Sequence, residues 1–338
     1  MANVQSALNE GAASRVPAED RRPRYVAGIV NHASYDDLAG CLASLALQTR
    51  APEGVLVVDT GVDPARLAAL QAQYPDVRFE RHPNRGWGAG VNRVLAWAGE
   101  VHADTDLALL LNPDVSLDPD FAAVLSDAIV RDAGVAVATG KLLRPGRQEL
   151  DSAGIRLPRH RRPRDRGSGE PDGSRFDRAE YVFAASGAAM LVKRVAMESV
   201  ALDGEVFDED FFAYHDDTDL CWRVHRFGWR VLYEPRAQAV HGRRWRRERR
   251  YQIDPAVRRH SFKNHYLQMI KNERASGFVV NLPWIAAWEL ARLAFVLAFD
   301  RDLLPAYGQT LRAAPGAWAK RRTLARRLRA SSLPPPSP

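Results

Sequence analysis

Cysteine is scarce in this chain of 338 residues, which has only Cys41 and Cys221. Two cysteines are too few for a disulfide framework and cannot alone supply a four-ligand zinc site. This composition argues against a disulfide-rich secreted scaffold and is typical of a reducing compartment. The first 24 residues are polar and lack the apolar stretch of a signal peptide. We therefore expect residues 1–24 to be a disordered leader.

Two further patterns are missing. The chain shows no internal repeat, and its glycine-rich stretch "NRGWGAGVNRVL" is not a G-x-G-x-x-G dinucleotide fingerprint, because Gly86, Gly88 and Gly90 alternate. Such glycines fit either a backbone that approaches a phosphate at a helix N-terminus or a tightly packed turn. The hydrophobic content of 46% and charged content of 26% are those of an ordinary globular protein.

Basic residues are concentrated at one end of the chain. From His241 to Pro338 there are 20 Lys and Arg against 6 Asp and Glu, whereas residues 1–240 carry 28 against 35. A net acidic body with a basic tail suggests that the tail meets something anionic, and nucleic acid and anionic membrane are the two candidates.

Short apolar runs alternate with helical patterns in the first half of the chain. Strands are predicted at 25–32, 54–60, 77–81 and 107–111, and helices at 36–48, 64–74 and 86–100. This alternation predicts an α/β fold with a mostly parallel sheet flanked by helices. Residues 144–180 are rich in Pro, Gly and Arg and predict a long mobile insertion. Residues 246–330 predict a basic helical extension, and 331–338 a disordered tail.

Carboxylates stand where predicted strands end. Asp59 closes "GVLVVDT", and Asp114 follows the buried run "LALLL", which Pro113 cannot extend because it lacks a backbone donor. Ligands of open α/β sheets bind beyond the carboxyl ends of the strands, so we expect these carboxylates to converge. The stretch "YHDDTDLCWR" adds three aspartates in four positions at the start of a helix, more than helix capping needs.

Six stretches, in order, resemble the family-2 glycosyltransferases with the GT-A fold. They are "VNHASYDDLAGCLASLALQ", "VLVVDTGVD", "NRGWGAGVNRVL", "LLLNPDV", "ASGAAMLVKR" and "FDEDFFAYHDDTDLCWRVHRFGWRVLYEPRAQAVH". The resemblance runs from about Tyr25 to His241 and is nearest to rhamnosyltransferase-like members, which build bacterial surface polysaccharides. It implies a Rossmann-like GT-A catalytic domain over residues 25–245.

The resemblance also implies a site for a nucleoside-diphosphate sugar. Asn112-Pro113-Asp114 stands where the family carries its D-x-D motif, so Asp114 would bind Mg²⁺ or Mn²⁺ with His241. Asn112 departs from that motif and leaves one certain carboxylate. Asp59 would contact the nucleoside, although "DTGVD" departs from the usual D-N-G-S-x-D. The other residues implied at the donor site are Asn31, Asn84, Gly88, Asn92 and Asn112.

The acidic stretch is similar to the family's E-D-x-D-L motif. Asp217 aligns with the catalytic base that takes the proton of the acceptor hydroxyl, and the neighbouring Asp216 would raise the pKa of that base. Gly187, Asp219 and Trp222 are implied on the acceptor side. Without the family, these acids would be helix-start residues stabilised by the helix dipole at about 0.3–1 kcal/mol each.

The segment "GFVVNLPWIAAWELARLAFVLAF" at 277–299 is mostly apolar but contains Glu289 and Arg292 near its middle. A central Arg resists a membrane-spanning position by about 2.5–3.5 kcal/mol. Basic runs at 243–250 and 320–329 flank the segment. The pattern predicts an in-plane anchor on an anionic membrane surface, and the alternative is a helix packed on the catalytic domain.

These features predict an inverting, metal-dependent glycosyltransferase at the cytoplasmic face of the cell membrane. The expected donor is dTDP-L-rhamnose, with a UDP-sugar as the alternative, and the expected acceptor is a glycan or a polyprenyl-diphosphate-linked sugar. The other interpretations are a non-catalytic relative, a nucleic-acid binder and a sugar-nucleotide-forming nucleotidyltransferase. We expect no nucleic-acid partner, because the acidic sheet edge would repel a polyanion. A nucleotidyltransferase would carry a Gly- and Arg-rich loop where "NHASYDDL" stands.

Overall fold

The structure is a computed structural model that describes residues 23–243, 251 and 253–330. The predicted leader, apart from residues 23 and 24, lies outside the described residues. So do the predicted tail at 331–338 and the basic run at 243–250, apart from its first residue.

The first half of the chain alternates strand and helix as predicted. Its elements are β1 (Tyr25–Asn31), α1 (Tyr35–Ala46), β2 (Val55–Asp59), α2 (Pro64–Gln73), β3 (Arg78–Arg81), α3 (Trp87–Val101) and β4 (Leu107–Leu111). Helix α1 forms because Leu38, Cys41, Leu42 and Leu45 repeat at helical spacing and are all buried. Helix α2 begins where Asp63 accepts a hydrogen bond from the backbone nitrogen of Arg66.

Further strands and helices follow. They are β5 (Val115–Leu117), α4 (Phe121–Arg131), β6 (Val135–Leu143), β7 (Leu150–Ser152), β8 (Ile155–Arg156), β9 (Arg164–Asp165), β10 (Glu180–Val182), β11 (Ala189–Lys193), α5 (Arg194–Val200), α6 (Asp216–Arg226) and β12 (Arg230–His241). The C-terminal part is helical: α7 (Pro255–Asn272), α8 (Ala275–Phe299) and α9 (Leu304–Ala330).

The main sheet has the strand order β10-β12-β6-β11-β4-β1-β2-β3. Strands β4, β1, β2 and β3 are parallel, and β12 is parallel to β6. Strand β11 runs antiparallel between β4 and β6 and joins the two parallel groups. The predicted fold class, a mostly parallel central sheet flanked by helices, is confirmed.

Apolar residues cover both faces of this sheet. Along β1, Val26 and Val30 pack into one cluster with α3, α5 and α6, while Ala27 and Ile29 pack into the other with α1, α2 and α4. A strand covered on both faces is apolar throughout, which explains the uninterrupted apolar runs that predicted parallel strands.

Residues 144–180, predicted as an insertion, contain β7, β8, β9 and the start of β10. Strand β7 pairs with β6, and Leu150, Ile155 and Phe176 belong to the hydrophobic core. These small apolar stretches hold the segment against the domain despite its many prolines, glycines and arginines. Its mobility stays a prediction.

Candidate active site

The first predicted donor residues meet at the carboxyl ends of β1 and β2. Asn31 and Asp59 are paired across these strands, and Nδ2 of Asn31 donates to Oδ1 of Asp59 at 2.7 Å. The hydroxyl of Tyr35 donates to Oδ2 of Asp59 at 3.3 Å. Asn31 and Asp59 are buried, at 0% and 1% exposure. Sheet register therefore brings this pair together, and α1 supplies a third polar group.

Asp114 lies just beyond β4, at the same edge of the sheet. Its side chain is 23% exposed, and its backbone oxygen accepts from Gly242 at 2.7 Å. A Cβ on Gly242 would make a tight contact of 3.2 Å with that same oxygen. This contact places the strand end that carries Asp114 against the residue after His241.

His241 ends β12, and its ring joins two carboxylates. Nδ1 lies 2.7 Å from Oδ2 of Asp151, and Nε2 lies 3.4 Å from Oδ1 of Asp114. Burial lowers the pKa of His241, but the hydrogen bonds and charges of Asp114 and Asp151 outweigh it and raise the pKa to about 9. At neutral pH the protonated imidazole bridges the two acids, and a cation bound at Nε2 would displace the proton of that nitrogen.

The pair of Asp114 and His241 fits a hard divalent cation. Bonds of about 2.1 Å put neighbouring ligands of an octahedral cation about 3 Å apart, close to the separation of these two atoms. Asp151 fixes the ring through Nδ1 and leaves Nε2 toward the open side, as the outer carboxylate of a histidine ligand does. The residues described here include no group of three or more potential His, Cys, Asp or Glu ligands, so phosphates and water would complete the shell.

Asp151 was not predicted from the sequence. It is fully buried in β7, inside the segment interpreted as a mobile insertion, and Arg243 lies 3.3 Å from its Oδ1. Arg243 also lies 2.9 Å from Oδ2 of Asp165 in β9. The small apolar run "LDSAGI" in an otherwise charged segment was the available sign that this part packs inward.

Asp217, the predicted base, lies in the first turn of α6. Its Oδ2 accepts from the backbone nitrogen of Gly187 at 2.9 Å, and its Oδ1 from that of Thr218 at 2.7 Å. Burial raises the pKa of Asp217, and these two hydrogen bonds offset it only in part, so the pKa is about 6. This is the range in which a carboxylate is both ionised at neutral pH and basic enough to accept a proton.

Two consecutive residues connect the base to the donor edge. Gly187 donates to Asp217, while the carbonyl of Ala188 accepts from the backbone nitrogen of Asn112 at 2.8 Å. A Cβ on Gly187 would lie 3.4 Å from Oδ2 of Asp217 and 3.3 Å from the ring of Trp87. The structure thus brings Asn112, Gly187 and Asp217 together.

Asp216 has a different environment from its neighbour. It is 3% exposed, and its Oδ1 has no hydrogen-bond partner among the described residues. Burial first, and then the charge of Asp217, raise the pKa of Asp216 well above its ordinary value. Gly88 explains part of this packing, because a Cβ there would lie 3.1 Å from Oδ1 of Asp216.

The alternating glycines are explained by packing. A Cβ on Gly86 would lie 2.3 Å from the backbone oxygen of Phe212, and one on Gly90 would lie 2.7 Å from Val30. Gly86 also has φ +96°, which favours glycine. The turn at the start of α3 therefore packs against residues 207–215, the acidic loop before α6, and the buried Gly88 faces Asp216.

Three residues predicted for ligand binding have protein partners that fix them. Asp219 is 0% exposed and accepts from Asn272 at 2.7 Å, with Lys271 also at 2.7 Å and Arg223 at 3.2 Å. Asp219 therefore anchors α7 to α6, and its role in acceptor binding stays a prediction. Trp222 is 7% exposed in the core, edge-on to Phe183, and its role on the acceptor side also stays a prediction.

Asn92 ties α3 to the loop before α6. Its Nδ2 donates to the carbonyl of Phe207 and its Oδ1 accepts from the nitrogen of Phe207, both at 2.9 Å. Both ends of this side chain are therefore held by the protein, and its role in the donor site stays a prediction. Asn84 is exposed at the opening of α3, where its Oδ1 accepts from Gly86 at 3.0 Å.

Comparison with known proteins agrees with this geometry. The family model described as glycosyl transferase family 2 matches residues 27–187. An N-acetylglucosaminyl-diphospho-decaprenol L-rhamnosyltransferase of Mycobacterium tuberculosis, found in two strains, is 33% identical over 220 residues, which cover 59% of this chain and 70% of the relative.

Solved structures share the fold at low identity. A mannosyltransferase of Pyrobaculum calidifontis with GDP-Man and Mn²⁺ matches with a TM-score of 0.52 at 17% identity, over 93% of this chain and 88% of the other. GalNAc-T7 with UDP, GalNAc and Mn²⁺ has a TM-score of 0.56 at 12% identity over 75% of this chain, and S. aureus TarS has 0.56 at 13% over 91%. This chain spans about half of those two chains, 48% and 53%. Together with the rhamnosyltransferase relative and the family model, these matches show that the chain belongs to glycosyl transferase family 2.

Proposed function

We propose that this protein is an inverting, metal-dependent glycosyltransferase that moves L-rhamnose from dTDP-L-rhamnose to a hydroxyl of a polyprenyl-diphosphate-linked or glycan acceptor. The alternative donor is a UDP-sugar. The observation that carries the proposal is Asp217, a carboxylate of pKa about 6 held next to Gly187 at the edge that also carries Asp114 and His241.

Each part of this edge supports one role. Asn31 and Asp59 are buried at the carboxyl ends of β1 and β2, the edge at which open α/β sheets bind a ribose or base. Asp114 and His241 would hold Mg²⁺ or Mn²⁺, which supplies charge stabilisation for the departing nucleoside diphosphate when bound. Asp217 accepts the proton of the acceptor hydroxyl.

The arrangement favours inversion at the anomeric carbon. One base that activates the acceptor is enough for a single displacement, whereas a double displacement needs a carboxylate nucleophile on the opposite face of the sugar. Asp216 does not offer this, because it is buried, faces Gly88 and has a pKa raised well above the ordinary range.

Transfer assays test the function directly. Purified protein is incubated with dTDP-L-rhamnose, a UDP-sugar or a GDP-sugar, with and without Mn²⁺, and with a polyprenyl-diphosphate-linked N-acetylglucosamine acceptor. That acceptor class is taken from the name of the relative. We expect metal-dependent transfer from dTDP-L-rhamnose, with an inverted anomeric centre by NMR, and none from Asp217→Asn. Transfer by Asp217→Asn near the wild-type rate would contradict the assignment of the base.

We also propose that α8 seats the enzyme on an anionic membrane surface at the cytoplasmic face. Among the described residues, α8 is the one helix long and apolar enough to cross a membrane, and 17% of its apolar window is buried. Its charged residues face the protein: Arg292 lies over the ring of Phe262 at 3.6 Å, and Glu289 lies 3.3 Å from His265.

The outer face of α8 is apolar, and α9 adds positive charge. Val279, Val280 and Leu290 are 68%, 61% and 70% exposed. Arginines 312, 322, 326 and 329 of α9 are exposed as well. An apolar helix face in a chain that also exposes arginines suits an interface with anionic headgroups.

Vesicle sedimentation tests this placement. Leu290→Glu should reduce binding to phosphatidylglycerol vesicles, because it puts a charge on the outer face of α8. Leu47→Glu is a matched control, since Leu47 is 71% exposed but lies at the end of α1. The proposed surface would be overturned if both variants bound phosphatidylglycerol vesicles equally well. It would also be overturned if the wild-type protein bound neutral phosphatidylcholine vesicles but not phosphatidylglycerol vesicles.

A further inference from the structure

The backbone that leads into Asp216 and Asp217 is held in an unfavourable conformation. Phe212, Tyr214 and His215 have φ values of 66°, 67° and 70°. Residues with a bulky side chain rarely adopt this left-handed region, and such strain persists only where surrounding contacts impose it. The loop directly before the predicted base therefore needs an external support.

Asn264 of α7 supplies part of that support. It is 0% exposed, and its Nδ2 lies 2.8, 2.8 and 2.9 Å from the backbone oxygens of Phe211, Ala213 and Tyr214. Its Oδ1 has no hydrogen-bond partner in the described part of the chain. The two hydrogens of this amide are thus shared among three carbonyls at the irregular turn before α6, of which that of Phe211 also accepts from the backbone nitrogen of Ala213.

Gln268 lies one turn further along the same face of α7 and is also 0% exposed. Its Oε1 accepts from the hydroxyl of Thr218 at 2.8 Å, and its Nε2 lies 3.2 Å from Nδ1 of His215. These two contacts hold His215 and Thr218, the residues on either side of Asp216 and Asp217. Thr218 in turn donates its backbone hydrogen to Asp217 at 2.7 Å.

Asn272 completes a row of amides at a spacing of four residues, and its Nδ2 donates to Asp219 at 2.7 Å. Residues four apart lie on one face of a helix, so Asn264, Gln268 and Asn272 form a polar stripe buried against the acidic loop and α6. An apolar stripe would bury as much surface but would leave the loop carbonyls unpaired.

We propose that Asn264 and Gln268 are positioning residues that fix the direction of the Asp217 carboxylate. This inference rests on the proposed function, in which Asp217 is the base. Residues 255–272 would then support the catalytic base, although they lie beyond the stretch matched by the family model.

The test uses the full chain with Asn264→Ala and Gln268→Ala. We expect kcat to fall at least tenfold, while the KM for the donor and the Kd for dTDP with Mn²⁺ stay within twofold, because these side chains contact none of β1, β2 or β4. Asn281→Ala is the matched control: Asn281 is a buried amide that donates to Gly277 in its own helix. It should leave kcat unchanged.

A second measurement needs no turnover. Hydrogen–deuterium exchange should rise in peptides covering residues 207–220 in both positioning variants, and not in peptides covering 107–120 or in Asn281→Ala. Gln268→Ala is the milder change, and it serves if Asn264→Ala does not fold.

The outcomes separate the two proposals. An unchanged kcat and unchanged exchange in folded variants would overturn the positioning role alone, provided that Asp217→Asn is inactive. Active Asp217→Asn would overturn the proposed base instead. Increased exchange with unchanged kcat would also overturn the inference, since support of the loop would then be structural only.

Discussion

Replacing Asp217 by Asn should stabilise the folded protein while it abolishes transfer. The ordinary pKa of an aspartate is 3.8, and that of Asp217 in the fold is about 6. Because the folded state holds its proton to higher pH than the unfolded chain, ionising Asp217 costs folding free energy. This cost is absent below about pH 4, grows between about pH 4 and 6, and is constant above about pH 6.

The size of the effect follows from two opposing contributions. A shift of about two pH units at about 1.4 kcal/mol each corresponds to on the order of 3 kcal/mol at neutral pH. An Asn side chain has one oxygen, so it can accept from Gly187 or from Thr218 but not from both, which loses about 1 kcal/mol or more. The net gain is on the order of 1–2 kcal/mol, or a few degrees in Tm.

Thermal unfolding of wild type and Asp217→Asn at a series of pH values measures this directly. The variant should be more stable at pH 7.5, and the advantage should shrink steadily toward pH 4.5. A variant that is less stable at every pH, or whose advantage does not depend on pH, would refute the reasoning that the active-site carboxylate is held at a cost.

The acid limb of the kcat/KM profile should lie near pH 6, because only ionised Asp217 accepts a proton. Asp165→Asn should move this limb to lower pH, since the charge of Asp165 raises the pKa of Asp217. A limb that moves to higher pH would contradict this. Asp151→Asn should weaken Mn²⁺ binding in the presence of dTDP by about 10- to 100-fold, because His241 loses its orienting carboxylate. EPR of free Mn²⁺ measures this binding. The control Asp118→Asn breaks an exposed pair with Arg147 and should leave Mn²⁺ binding unchanged. Lys271→Met should lower the free energy of unfolding, measured in urea, by up to about 3–5 kcal/mol, because Asp208 and Asp219 lose a shared buried cation and keep Lys320 and Arg223. A loss below about 1 kcal/mol would show that these other partners satisfy both carboxylates.

Strand ends were predictable because parallel strands carry their carboxyl ends to one edge. Asn31, Asp59 and Asp114 follow apolar runs that are buried on both faces, and the runs alone locate them. The proposed base was predicted from the resemblance of "DDTDL" to a family motif. These parts depend on local pattern or on motif order, and both are written in a single sequence.

The remaining contacts join residues far apart in the chain, and local pattern gives no sign of them. Asp151 and His241 are 90 positions apart, and Asn264 and Phe211 are 53 apart. Asp219 and Asn92 were assigned to ligands because a polar residue near a site does not reveal its partner. Only the three-dimensional structure shows that Lys271 and Asn272 contact Asp219 and that Phe207 contacts Asn92.

Strand β12 has a consequence for the order in which the protein folds during synthesis. It lies between β6 and β10 in the sheet, pairs with β5 as well, and ends in His241. Until residues 230–241 leave the ribosome, β6 has an open edge and β5 and β10 lack their partner. The stretch matched by the family model, 27–187, contains most strands of the sheet, but it lacks β12 and cannot complete the sheet. We expect nascent chains shorter than about 240 residues to expose that edge and to require chaperone protection against strand pairing between chains.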